Sequence, residues 1–287
     1  RNLRQLLRGA YNLSNMLSNK KIRGIMSELE SLPTQISIYT KLTEELQTLY
    51  PSVKKIGMII AQDMGMSSKV LRIVNSAMYS LPNQISSPIQ AVNLLGIKTI
   101  KMLVLMNYLF SQFKVEDIPG FSMDEIWNHS LRVGTLCKTI AEDLKLNMNT
   151  VDEASTTGLL HDIGKLILAA NLPDEYRGVI ELKEQENISD YEAEKEIFGA
   201  SHAHIGAYLM GLWGLPDGII KTIAFHHTPE ELEQNELPGL MVIYIANKLI
   251  KYEPRDDEQT IESFISPRYI ELFNIEDKIG KWIELEK

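Results

Sequence analysis

All six histidines of the chain, His129, His161, His202, His204, His226 and His227, fall between residues 129 and 227. A histidine on an apolar helix face is ordinarily a hydrogen-bonded core residue, but this crowding calls for a common cause. Gathered neutral imidazoles with nearby carboxylates are what a transition-metal site needs. Glu125 and His129 stand four residues apart, so a helix there presents both on one face. His161 and Asp162 are adjacent within the apolar run GLLHDIGKL. On a helix their side chains splay by about 100°, which suits one residue bridging two ions while the other binds one. His226 and His227 repeat that adjacency just before TPEEL, where a helix is expected to end. Nitrogen and oxygen donors without sulfur point to Fe, Mn, Zn, Co or Ni rather than Ca. The competing reading is a polar core in which the same side chains satisfy one another by hydrogen bonds.

The elements that must position these residues read as helices. Segments of 3.6 periodicity separated by Gly, Pro, Asn and Ser run the whole length, with no series of alternating strands, so the chain is expected to be all-α. SVKKIGMIIAQD, SSKVLRIVNSAMYS and SPIQAVNLLGIKTIKMLVLMNYLFSQF carry helical spacing, with Ser67, Ser68 or Ser87 as expected caps and Pro88 in a first turn. KVEDIPGFSMDE marks a break near residue 118. After it, helices are expected in DEIWNHSLRVGTLCKTIAEDL, in VDEASTTGLLHDIGKLILAAN as one unbroken element, from SHAHIGAYLMGLWG, in PDGIIKTIAFHH and in GLMVIYIANKLIKY, followed by one or two docking helices at the end. Residues 1–24 read as an amphipathic linker helix, and the absent initial Met suggests a tail cut from a larger protein. Trp127 and Trp213 are expected as core anchors, and Asn75, Ser76 and Tyr79 as packing and capping residues or the lining of a groove.

The formal charge of −9 argues against a nucleic-acid or anionic-membrane surface as the main partner, since phosphate binding needs a concentrated cationic face. One cysteine, Cys137, excludes a disulfide framework and a thiolate cluster and suits a reducing, cytoplasmic setting. The longest apolar runs, MLVLMNYLF and GLMVIYIA, reach about half of the ~20 residues that a membrane span needs, which predicts a soluble protein.

The order H…HD…H…HH resembles the HD superfamily of metal-dependent phosphohydrolases, and the whole chain resembles its HDOD branch. SLPTQISIYTKL, the segment IIAQDMGMSSKVLRIVNSAMYSLPNQISSPIQAVNLLGIKTIKMLVL and FGASHAHIGAYLMGLWGLPDGIIKTIAFHHTP carry that resemblance over roughly residues 25 to 235. It implies an all-α fold of two lobes: an HDOD domain over 25–235, divided into an N-terminal lobe (25–118) and an HD-like lobe (119–235), with residues 236–287 as helices packing on the latter. It also implies a role in bacterial signal transduction, behind an upstream receiver or other sensory domain, acting on a signalling protein partner, with a homodimer as a further possibility.

Carried over from the related HD-GYP phosphodiesterases, the ligand pattern falls on Glu125, His129, His161, Asp162, His202, His226 and His227, while His204 is not counted as a ligand. Asn247 stands where the superfamily places a last aspartate, and no Gly-Tyr-Pro follows His227. A neutral amide coordinates through oxygen but supplies no charge, so cations would be held less tightly. The resemblance therefore favours a relay module that is non-catalytic or weakly catalytic and keeps a mono- or dinuclear site for Fe, Mn, Zn or Ni. The alternatives are a nucleotide or cyclic dinucleotide phosphohydrolase and a metal or redox sensor. In the enzyme, His161 and Asp162 would act through the ions and Lys165 would donate to a phosphate oxygen; otherwise Lys165 is a solvated helix lysine.

Overall fold

The computed structural model describes residues 41, 42, 44, 45, 48, 50–75, 84–113, 115, 117–212, 215–232, 238–251 and 265–286. The linker helix expected over 1–24, and Ser76, Tyr79 and Trp213, lie outside them. Every described element is helical, and no strand occurs among the described residues. The described residues divide into two compact units at the 114/115 boundary.

In the first unit, helices α1 (Val53–Ala61), α2 (Met64–Val74), α3 (Pro88–Leu95) and α4 (Ile97–Gln112) follow one another through short caps. Ser87 accepts from the Gln90 amide and Pro88 opens α3, as its sequence predicts. The cap of α2 differs from expectation. Asp63 accepts from the Met66 amide at 2.8 Å, so the helix starts earlier and Ser67 and Ser68 fall inside it. Asn75 ends α2 by donating to the Leu71 and Ile85 carbonyls, and its Oδ1 accepts from the Ile85 amide. Ile56, Ile60, Val70, Val74, Val92, Ile100 and Leu103 are buried. No single helix among the described residues is long and apolar enough to cross a membrane; α3 with the start of α4 reaches that length only across a 119° bend.

The second unit carries the histidines. It contains α5 (Met123–Asp143), α6 (Met148–Leu160), α7 (Ile163–Asn171), α8 (Pro173–Glu186), α9 (Asp190–Phe198), α10 (His202–Leu212), α11 (Asp217–Phe225), a 3-10 turn (Pro229–Glu231), α12 (Pro238–Lys251), α13 (Pro267–Phe273) and α14 (Glu276–Glu286). Helices α5 and α6 pack along each other, α12 lies on both, and α10 packs on α7 and α11. Val133, Leu136 and Ile140 of α5, Val151 of α6, Ile243, Ala246 and Leu249 of α12, and Ile275, Ile279 and Trp282 near the end form one apolar core. The final helix is further tied to α5, where Lys278 donates to the Asp143 carbonyl and Lys281 to its carboxylate.

Two features of this unit depart from the sequence reading. The single helix expected across GLLHDIGKL is broken: α6 ends at Leu160, His161 and Asp162 form a turn, and α7 begins at Ile163. The turn brings α7 against the start of α10, where a Cβ on Gly164 would lie 2.0 Å from the His202 carbonyl oxygen, so only glycine fits. Helices α8 and α9 are an addition to the elements expected from periodicity. The first opens on Pro173, and the second on a reciprocal cap between Ser189 and Glu192.

Candidate metal centre

Helix ends gather the histidines. His129 projects from the second turn of α5, His161 and Asp162 occupy the α6–α7 turn, His202 is the first residue of α10, and His226 and His227 follow the last residue of α11. Close packing of α5 on α6 sets the first two in register. A Cβ on Gly158 would fall 2.6 Å from the Gly134 Cα, and the His129 and His161 rings stand 5.3 Å apart. His161, Asp162, His202 and His226 are buried.

The hydrogen bonds fix which ring nitrogens are free. His161 Nδ1 lies 2.8 Å from the Gly158 carbonyl and His226 Nδ1 2.7 Å from the Ile223 carbonyl. A carbonyl only accepts, so both Nδ1 atoms carry the proton and both Nε2 atoms present lone pairs. Those Nε2 atoms and Asp162 Oδ1 are buried without a hydrogen-bond partner. Yet Oδ1 stands 3.2 Å from His202 Nε2, 3.5 Å from His161 Nε2 and 4.0 Å from His226 Nε2. The lone pairs of His161 Nε2, His226 Nε2 and Asp162 Oδ1, aimed at one another in a buried pocket, repel, and each unsatisfied group costs about 1–3 kcal/mol. Two donors about 2.1 Å from a common ion lie roughly 3.0–4.2 Å apart, so these separations fit a shared cation. Asp162, His202, His226 and His227 converge as one group, and His129, His161 and Asp162 as another, with Asp162 common to both.

Electrostatics keep most of the imidazoles neutral. Burial, only partly offset by Asp162, lowers His129 to about 3 and His161 to about 4. Burial and neighbouring imidazoles push His226 and His227 down as well. In His202 burial acts in the same direction, but the Glu194 and Asp162 carboxylates together outweigh it and raise the ring above its usual value. Glu194, fully buried, accepts from the His202 backbone amide and from its Nδ1, both at 2.6 Å, and from the Tyr176 hydroxyl at 3.2 Å. That bond leaves His202 Nε2 facing the cluster, 3.0 Å from His227 Nε2.

The remaining expected residues take separate places. Asn247, buried on α12, sets Oδ1 3.0 Å from His129 Nε2. Glu125 is exposed, lines the adjoining cavity and joins neither convergent group. His204 pairs with Ser201, its Nδ1 2.9 Å from the hydroxyl. Lys165 is not a solvated lysine. It is buried, and its Nζ donates to Asp162 Oδ2 at 2.9 Å and lies 3.2 Å from Asp190 Oδ2, while Lys183 pairs with the other oxygen of Asp190 at 2.7 Å. Burial opposes the Lys165 charge, but Asp162 and Asp190 outweigh it and hold the ammonium protonated. A cavity of 180 Å³ opens beside this ladder, walled by Phe121, His129, Asp162, Lys165, Asp190 and Lys251 among others.

The HDOD domain pattern matches residues 32–229 of the chain. The chain belongs to the HDOD family. This HDOD protein is 22% identical over 235 residues to an uncharacterized protein of Treponema pallidum, covering 82% of its own length and 45% of that protein. It spans less than half the length of the curated relatives it matches. Among solved structures it is similar to a candidate phosphohydrolase from Shewanella amazonensis, with 24% identity, TM-score 0.70 and 94% of each chain covered. It is also similar to an HDOD domain protein of unknown function from Geobacter sulfurreducens, with 23% identity, TM-score 0.68, and 93% and 96% of the two chains covered. These likenesses establish the all-α, two-lobed fold of the HDOD protein. The residues that sequence reasoning missed, Tyr176, Lys183, Asp190, Glu194 and Lys251, stand on α8, α9 and at the end of α12. One signal was available for Glu194: it lies three residues after Tyr191 and four before Phe198, on a stripe that the helix buries.

Proposed function

We propose that this HDOD protein is a signal-relay module built around a metal centre in its C-terminal lobe, with Asp162 and the histidines His129, His161, His202, His226 and His227 as its donor set. The observation that carries the reading is the convergence of His161 Nε2, His226 Nε2 and Asp162 Oδ1, three buried atoms without hydrogen-bond partners. A cation offsets their repulsion; a polar core satisfied by its own hydrogen bonds would leave no such atoms. Fe, Mn, Zn or Ni suits the nitrogen-rich set, and a bound ion of this kind supplies Lewis acidity toward phosphoryl oxygens. The chain's own residues limit that chemistry, because Asn247 brings no charge and Lys165, expected to receive a phosphate, is spent on Asp162 and Asp190. In this reading the lobe acts in a bacterial cytoplasm behind a receiver or other sensory domain and passes its state to a protein partner, with the helices after residue 236 belonging to the same lobe.

A second reading, a metal-dependent phosphohydrolase acting on nucleotides or cyclic dinucleotides, is favoured by one feature: the cavity reaches His129 and Asp162 and is lined by Lys165, Lys183 and Lys251. Hydrolysis of bis-p-nitrophenyl phosphate and of cyclic dinucleotides by protein loaded with Mn or Fe separates the two. The relay reading expects turnover no greater than that of His161→Ala loaded in the same way. Metal-dependent turnover abolished by that substitution would establish the enzyme instead.

A further inference from the structure

The two convergent donor groups are not equivalent, and the difference lies in what already occupies each oxygen of Asp162. Oδ1 has no hydrogen-bond partner and faces His202, His161 and His226. Oδ2 carries the Lys165 ammonium at 2.9 Å and stands 3.8 Å from His129 Nε2. His129 Nε2 is in turn within hydrogen-bond distance of Asn247, at 3.0 Å, and whichever way that amide is turned it adds no negative charge. On the His129 side, then, the one carboxylate oxygen is already neutralised by a cation, and the remaining donors are neutral. On the other side the buried Glu194 carboxylate stands directly behind His202 and supplies negative charge where the donors themselves supply one oxygen.

Access divides the cluster along the same line. The cavity walls include His129, Asp162 and Lys165 but not His202, His226 or His227. Three of the four donors on that inner side are fully buried or nearly so: Asp162 is 2% exposed, His202 0% and His226 1%. Closed coordination without an open position marks structural ions, whereas catalytic ions keep a position for substrate.

Resting on the metal reading above, we propose that the lobe holds one transition-metal ion per chain, in its closed half, on Asp162 Oδ1, His202, His226 and His227. His161 Nε2 faces the same oxygen. Lys165 and Asn247 are the residues that keep a second ion out of the His129 half: the ammonium takes the bridging oxygen, and the amide withholds the charge that would compensate a dication. The Lys165 ammonium, 2.9 Å from Asp162 Oδ2, thereby takes the place of the second ion without offering a coordination position, and the cavity beside it leads to a lysine rather than to a metal.

The test is stoichiometry. Protein stripped with chelator, loaded with excess Mn(II) and desalted is analysed for Mn per chain, beside Asn247→Asp and the double variant Lys165→Met, Asn247→Asp. The expected result is one ion in the parent, with the resonance of an isolated Mn(II), and two in the double variant, with the resonance of a coupled pair. Two ions in the parent would overturn the single-ion assignment while leaving the metal reading intact. No ion in the parent would overturn both. A folded double variant that still holds one ion would remove Lys165 and Asn247 from the role given to them. Should the double variant fail to fold, Asn247→Asp alone, which adds no bulk, is expected to raise the ratio above one, and a ratio unchanged at one counts against the proposal.

Discussion

Glu194 shows how much of a site rests on residues that touch no ligand. Its carboxylate fixes the His202 ring through Nδ1 and anchors the first amide of α10, so one side chain sets both the tautomer and the helix start. Glu194→Gln keeps the volume and one acceptor but removes the charge. It is expected to weaken ion binding by roughly 10–100-fold in a calorimetric titration, while leaving helicity by circular dichroism unchanged. Cys137 gives a second prediction at this scale. It is fully buried on α5, and burial pushes its thiol well above the ordinary range. A disulfide reagent at pH 8 is expected to leave the native protein unlabelled and to react at one site per chain once the protein is unfolded. The histidines could be read from the sequence because their type and crowding are rare. Glu194, Asp190 and Lys183 could not, because an acidic or basic residue on a helix ordinarily reads as a solvated face, and only tertiary packing buries Glu194 and pairs the half-buried Asp190 with Lys165 and Lys183.

Helix ends do the positioning. The cap at Ser87 is legible, since a short side-chain oxygen beside an apolar repeat carries its own mechanism, whereas those at Ser122 and Ser189 were not read. The break at His161–Asp162 was not, because the periodicity of GLLHDIGKL runs through it and the cause is a contact distant in sequence: the Gly164 backbone against the His202 carbonyl. Gly164→Ala therefore forces α7 and α10 apart, and it is expected to lower stability by about 1–3 kcal/mol in thermal melts, with ion affinity falling alongside as His202 moves. Gly239→Ala, in α12, meets nothing within 4 Å and serves as the control, expected to be neutral or slightly stabilising.

At the scale of the molecule, the second lobe is fastened at its end by α14. The Lys281 ammonium beside Asp143, aided by Lys278, holds that carboxyl below its ordinary value. A depressed carboxylate contributes in full above the unfolded value of 3.8 and loses its contribution as pH falls through the lower folded one. Asp143→Asn is accordingly expected to lower the melting temperature slightly at neutral pH, and the gap to the parent is expected to close as the pH drops below 3.8. The central claim, that this lobe was built to hold a transition metal, is tested most directly by elemental analysis. Protein purified without chelator or affinity metal is measured beside the His161→Ala, Asp162→Ala double variant. Near-stoichiometric Fe, Mn, Zn or Ni is expected in the parent and none in the variant. No metal in either, with both folded, would contradict the claim.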